Sequence, residues 1–212
     1  ALKRTDEARR ILLDLAAENP KDIRPVEALA NILRGRERFA EAIGHYDKII
    51  TMLGEPKPAH WTYWYARGTS YERIKDWPNA EKDLLRAMRL DPDQALVLNY
   101  LGYSWVDQDL NLQRGLKLIR KAVSLKPDDG YIVDSLGWVL YQRGDYKAAT
   151  VELERAVRLT QENDAVILEH LGDAYVKSGR WDEALQVYGR SQELAPDNPQ
   201  IQEKIDQVQK SI

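Results

Sequence analysis

The 212-residue chain contains no cysteine, which removes disulfides, thiolate metal sites and cysteine nucleophiles at once. The same absence does not choose between an oxidising cell envelope and a reducing cytoplasm. Histidine is scarce: His45, His60 and His170 stand far apart, none sits in a metal-ligand spacing such as HExxH, and no metal site or cofactor is expected. The serines have no nucleophile elbow around them, and no glycine-rich phosphate loop is present. No apolar run approaches the ~20 residues a membrane-spanning helix needs. The opening "ALKRTDEARRILLDLAAENP" lacks the order of a signal peptide, so any targeting segment is expected to lie outside this stretch. A dominant charge is missing too. Lys and Arg number 31 against 34 Asp and Glu, a net charge of -3, so no bulk field draws the chain to nucleic acid or anionic lipid. "RIKDW" and "LIRKAV" read as solvated helix faces, and Asp128-Asp129 as a helix N-terminus, where carboxylates cap free amides.

What is present is a period. With 43% hydrophobic residues the chain can bury a substantial core, and its glycines show how. Gly68, Gly102, Gly137 and Gly172 follow one another inside "ARGTSY", "YLGYSW", "SLGWVL" and "HLGDAY". Each is followed by a second segment with a small residue (Ala80, Gly115, Ala149, Ala184), a bulky one (Leu84, Ile119, Leu153, Tyr188) and another small one (Ala87, Ala122, Ala156, Ser191). Those offsets mark one face of a helix. Together they predict antiparallel helix pairs whose backbones approach closely where glycine meets a small residue. Gly144 and Gly179 suit left-handed helix ends, Pro78 suits a first helical turn, and Pro92, Pro127 and Pro196 stop the second helices. Phe39, Trp77, Tyr146 and Trp181, each three residues before the first small residue of a second helix, are expected to wedge between helices.

Leu168, Leu171, Gly172, Tyr175, Ala184, Tyr188, Ser191 and Pro196 carry a family resemblance: the pattern is similar to the tetratricopeptide repeat. The resemblance implies an all-α fold, a right-handed superhelical solenoid of helix-turn-helix repeats. Five full units are expected, at 23–60 (degenerate, with Ala30 in the glycine place), 61–94, 95–129, 130–164 and 165–198. Residues 1–22 read as the second helix of a truncated repeat, and 199–212 as a polar capping helix. The third unit has an extra turn residue in "DQDLNLQ", and Gln161 replaces proline in the fourth. A chain opening in mid-repeat is expected to show an apolar edge, with Ala8, Leu12 and Leu15.

Family resemblance further implies that residues two, five, nine, twelve and thirteen of each unit face a concave groove. These are Arg24, Glu27, Asn31, Arg34 and Gly35; Thr62, Tyr65, Thr69, Glu72 and Arg73; Leu96, Asn99, Tyr103, Val106 and Asp107; Tyr131, Asp134, Trp138, Tyr141 and Gln142; and Val166, Glu169, Asp173, Val176 and Lys177. Tyr65, Tyr103, Tyr131, Trp138 and Tyr141 form a candidate hot-spot strip, with Trp138 the leading choice. Asp107, Asp134, Glu169 and Asp173 favour a ligand with basic character over the third to fifth units. The carboxylate grip of heat-shock co-chaperone repeats is not expected, because Glu27 occupies the lysine place and only Asn31 matches. Residues 99–146 also resemble the C-terminal repeats of long exported tetratricopeptide proteins of Gram-negative bacteria, some of them lipoprotein adaptors for envelope proteases. That implies a periplasmic or envelope setting, with a cytoplasmic one as the alternative. The expected function is a non-enzymatic scaffold or adaptor that binds a peptide segment or helix of a partner protein. The alternatives are self-assembly through the open N-terminal edge and an accessory domain of a larger envelope protein or enzyme complex.

Overall fold

A computed structural model describes residues 2–211, with side chains from Glu7 onward. Among them are twelve α-helices, one short 3-10 turn and no strand: α1 (Leu2–Glu18), α2 (Ile23–Gly35), α3 (Phe39–Met52), α4 (Trp61–Arg73), α5 (Trp77–Leu90), α6 (Ala95–Asp107), α7 (Leu112–Leu125), α8 (Gly130–Gln142), α9 (Tyr146–Leu159), α10 (Ala165–Lys177), α11 (Trp181–Leu194) and α12 (Pro199–Gln209). The fold is an all-α solenoid built of helix hairpins. The chain divides into two compact units, residues 1–97 and 98–212, and the division falls inside α6.

Local chemistry sets the helix ends. Asp22, Asp129, Asp164 and Asn198 accept hydrogen bonds from amides in the first turns of α2, α8, α10 and α12, while Asp76 and Asp145 do so for α5 and α9. Of the Asp128-Asp129 pair, Asp129 is the cap, receiving the amides of Tyr131 and Ile132. Gly144 (φ 79°) and Gly179 (φ 73°) turn the chain after α8 and α10. At the corresponding places after α2 and α4 stand Glu37 (φ 59°) and Lys75 (φ 67°), side chains in a left-handed conformation that glycine adopts more cheaply. The irregular third and fourth turns are visible in the same way, with positive φ at Asp109, Asn111, Gln161 and Glu162.

The hairpins close where a Cβ has no room. At Gly102 it would lie 2.8 Å from the Gly115 carbonyl oxygen, and at Gly115 2.7 Å from that of Gly102. At Gly137 and Gly172 the glycine receives a large side chain. Gly137 is filled by Leu153, whose Cγ would be 2.6 Å from the added Cβ, and Gly172 by the Tyr188 ring. The glycine therefore meets a small residue between α6 and α7 and also between α4 and α5, where a Cβ on Gly68 would lie 3.2 Å from the Ala80 carbonyl oxygen; at Gly137 and Gly172 it opens a socket for the bulky residue one turn further on. Leu153, Ile119 and Leu84 are fully buried and Tyr188 is nearly so.

One core position departs from the apolar pattern. Arg67 stands in α4 where the last repeat has Leu171. Its guanidinium makes two hydrogen bonds to Asp83 (2.6 and 2.8 Å) and one to Asp47 (2.6 Å). The Asp83 side chain is only 4% exposed. Burial pulls the guanidinium pKa down, but the two carboxylates outweigh it and hold the pKa above its usual value. Of the expected wedges, Phe39 lies under the Arg73 guanidinium at 4.9 Å and Tyr146 packs beside Tyr141 at 5.4 Å. Trp181 is 36% exposed and lines a hollow with Tyr188 and Val208.

Two stability measurements check this packing. Gly102→Ala is expected to cost about 1–3 kcal/mol in chemical denaturation, because backbone must move. Gly189→Ala, in open space on α11, is expected to add ~0.5–1 kcal/mol through helix preference alone. Equal effects at the two sites would contradict the close approach. Arg67→Leu is expected to cost about 3–5 kcal/mol by stranding the Asp83 charge, and adding Asp83→Ala should recover most of that loss.

Candidate functional site

In the second compact unit one face of α6, α8 and α10 packs against the second helix of its own hairpin, and the opposite face carries the residues expected to meet a ligand. That face is crossed by a ladder of polar contacts. The fifth residue of one repeat pairs with the sixth of the next: Asn99 Nδ2 donates to Ser135 Oγ at 3.1 Å, His170 Nδ1 lies 2.9 Å from Asp134 Oδ1, and Lys204 Nζ donates to Glu169 Oε1 at 2.7 Å. The partners are 36, 36 and 35 residues apart, about one repeat each time. Lys204, on α12, also donates to Asp173 Oδ2 at 2.7 Å, and Tyr188 OH donates to Asp173 Oδ1 at 2.6 Å. The first compact unit repeats that last contact: Tyr46 OH donates to Asn31 Oδ1 at 2.8 Å, again across 15 residues. Burial works against the Lys204 ammonium, but the two carboxylates raise its pKa overall. Burial first, and then donation to Asp173, pushes the Tyr188 phenol up.

Above the ladder lie stacked rings. Trp138 is sandwiched between Tyr141 (centroids 4.9 Å apart, planes 10° from parallel) and His170 (4.0 Å, 19°). Tyr141 continues into a hollow of about 310 Å³ shared with Asp173, Val176, Trp181, Lys204 and Gln207. Tyr103 is half-buried, its phenol pushed up to about 12 by burial and then by Asp107 and Asp134. Tyr131 is 63% exposed at the start of α8.

The structure thus gathers Asp134 and Trp138 around His170, with Tyr141 stacked on Trp138, and Glu169 and Asp173 around Lys204. Asn99 joins the ladder, and its Oδ1 is buried with no protein partner. Asp107 is exposed at the end of α6. Three of the four acids expected to attract a basic ligand are already engaged inside the chain, and Trp138 has both faces covered. Tyr65, Thr69 and Arg73 belong to the first compact unit. Tyr65 packs edge-on to Trp61 at 5.8 Å, with burial raising its phenol to about 12. The hydroxyl of Thr69, a buried residue, donates to the Ala66 carbonyl at 3.0 Å. Arg73 is exposed above Phe39 and lies 3.7 Å from Glu37.

Ser135, His170, Trp181 and Lys204 were not among the expected site residues. The first, second and fourth belong to the sixth place of a repeat, and the signal that marks them is a polar residue there following a polar fifth residue one repeat earlier. Among the described residues no three His, Asp or Glu side chains converge to hold a metal ion, and no helix is long and apolar enough to cross a membrane.

Comparison with known proteins places this geometry. Family models for the tetratricopeptide repeat match residues 27–95 and 140–207, together more than half of the chain. The chain is similar to TPR repeat-containing protein PA4667 of Pseudomonas aeruginosa, at 31% identity over 51% of this chain and 18% of that protein. It spans less than a fifth of the length of the curated proteins it matches. A chain of the APC/C hetero-tetramer Cut9–Hcn1 has the same fold, with a TM-score of 0.82 at 20% identity over 95% of this chain and 39% of that one. So does YrrB, described as a TPR protein with an unusual peptide-binding site, with a TM-score of 0.64 at 19% identity over 91% of this chain and 96% of that one.

Lys204 holds the C-terminal end of the ladder, and its removal has a readable consequence. Lys204→Met is expected to lower the unfolding free energy by about 2 kcal/mol near neutral pH. The ammonium's folded pKa is raised, so its contribution is complete below the unfolded value of 10.5 and is lost as pH rises through the folded value. Urea denaturation should show a constant gap between wild type and variant at neutral and mildly alkaline pH that closes only at strongly alkaline pH. A gap that already closes at mildly alkaline pH would assign the effect to another group.

Proposed function

We propose that this chain, which belongs to the tetratricopeptide repeat family, is a protein-interaction scaffold without catalysis of its own. A peptide segment or helix of a partner protein lies against the inner face of its second compact unit. The observation that carries this reading is the combination of a ladder of contacts between successive repeats with an aromatic row on top of it. Because Asp134, Glu169 and Asp173 are already bound, the face is held in one conformation before a ligand arrives, which lowers the entropy cost of binding. Tyr103, Tyr131, Tyr141 and Trp181 supply the exposed area, of a kind enriched among residues that dominate binding energy. Trp138 acts in this reading as the support of Tyr141, more than as a contact.

The hollow beside Tyr141 has room for one bulky side chain, and we read it as the anchor point of the bound segment. Glu169 and Asp173 share one ammonium, that of Lys204, and Asp134 is hydrogen-bonded to His170, so basic character in the ligand counts most near Asp107, the one acid of the four outside the ladder. A second reading, self-assembly, is favoured by one observation: Ile11, Leu13 and Leu15 of α1 are 50%, 44% and 41% exposed. Of the edge expected from sequence, Leu15 is exposed while Ala8 and Leu12 are half-buried.

Quantified affinity capture from the native lysate tests the main reading. A Tyr103→Ala, Tyr141→Ala double variant is expected to retain wild-type helix content and to capture its partner at least about tenfold less well, as loss of two hot-spot aromatics would dictate. Thr69→Ala should capture like wild type. Undiminished capture by the double variant rejects the inner face, and a stable dimer that Leu13→Asp dissolves would move the argument to self-assembly.

A further inference from the structure

The outer side of the second compact unit carries a surface that the inner-face reading leaves unused. Helix α7, "LQRGLKLIRKAVSL", has four basic residues and no acidic one in a chain whose net charge is -3. Its Gly115, Leu116, Ile119 and Ala122 are buried, and Arg114, Lys117, Arg120 and Lys121 are exposed. Arg114 is spoken for, lying 4.8 Å over the Trp105 ring. Among the described residues Lys117, Arg120 and Lys147 have no ion-pair partner.

Between α7 and α9 runs a groove of about 480 Å³. Leu136, Leu140 and Ala148 form its floor, with Val151 on the α9 side, while Arg120 stands on one rim and Lys147 on the other. Val151 is 59% exposed, an unusual place for a large apolar side chain on an otherwise polar helix face. Two acids also border the groove, and both are occupied: Asp145 caps α9 by accepting the Ala148 amide at 3.3 Å, and Glu152 accepts from Arg155 at 3.2 Å. Arg155 neutralises Glu152, whereas a capped carboxylate keeps its charge, so Arg120 and Lys147 against Asp145 leave a net positive charge beside the apolar floor.

We propose that this groove is a second docking surface, specific for an acidic protein segment that carries one bulky apolar side chain. The apolar residue would lie on Leu136, Leu140 and Val151, and flanking carboxylates would reach Arg120 and Lys147. Charge complementarity of this kind steers encounter and fixes register. The apolar floor is what selects a polypeptide over a nucleic acid, since a phosphate backbone gains nothing from it. Its size, enough for one side chain, disfavours a lipid surface. The groove faces away from the aromatic row, so the scaffold would hold two different segments at once.

A displayed library of random short peptides, selected on the whole chain, tests this. Selection is expected to enrich Asp and Glu on both sides of a Leu or Phe. Binding of the enriched peptides should weaken about tenfold or more in an Arg120→Glu, Lys147→Glu variant, and similarly in Val151→Asp. All three substitutions are at exposed positions and leave helix content unchanged. Tyr103→Ala, Tyr141→Ala should bind these peptides like wild type, which separates failure here from failure of the inner-face reading. The proposal is overturned if no acidic sequences are enriched or if charge reversal leaves binding intact. It is equally overturned if Val151→Asp has no effect, or if duplex DNA or phosphatidylglycerol vesicles bind more tightly than any selected peptide.

Discussion

The structure depends on how closely two helix backbones approach at the eighth residue of each repeat. At Gly102 and Gly115 the two chains come so near that neither tolerates a Cβ, and at Gly137 and Gly172 the vacated space is taken by Leu153 and Tyr188. This contact fixes the rotation of each first helix about its own axis. With one face committed to the hairpin, the opposite face carries the second, fifth and ninth residues, while the twelfth varies: Tyr141 stacks on Trp138, but Val106 is buried against Gly115. The arrangement of any inner surface is therefore a consequence of where side chains are missing.

A second constraint acts between repeats. Asn99 to Ser135, Asp134 to His170 and Glu169 to Lys204 are the same contact made three times with different chemistry: amide to hydroxyl, carboxylate to imidazole, carboxylate to ammonium. Half-buried polar groups need partners, and here each is supplied by the next helix along, so neighbouring inner helices are tied in one register. The cost is that these acids spend hydrogen-bonding capacity inside the chain. What the surface offers instead is shape and aromatic area, and that is the basis of the binding chemistry assigned to it.

Much of the fold was legible in the sequence, because glycine, alanine and proline at fixed offsets report backbone geometry directly. The all-α hairpin architecture, the cap at Asp129 and the left-handed turns at Gly144 and Gly179 belong to this class. Glu37 and Lys75 adopt the same turn with no glycine to announce it. The ladder was hidden because its partners sit a full repeat apart and change type at every step, so no single residue marks it. Trp138 stood out by size, yet size does not tell whether a ring faces solvent or lies between Tyr141 and His170. Arg67 in a leucine place, and the division of the chain within α6, left no sequence signal that periodicity alone could read.

Site-specific photo-crosslinking tests most directly whether the inner face of the second unit holds a partner. With a photoreactive side chain at position 141 or 131, the account predicts crosslinks to one short segment of a single partner protein, competed by a peptide of that segment. Crosslinks arising only from a probe at position 13 on α1, and none from 131 or 141, would contradict it.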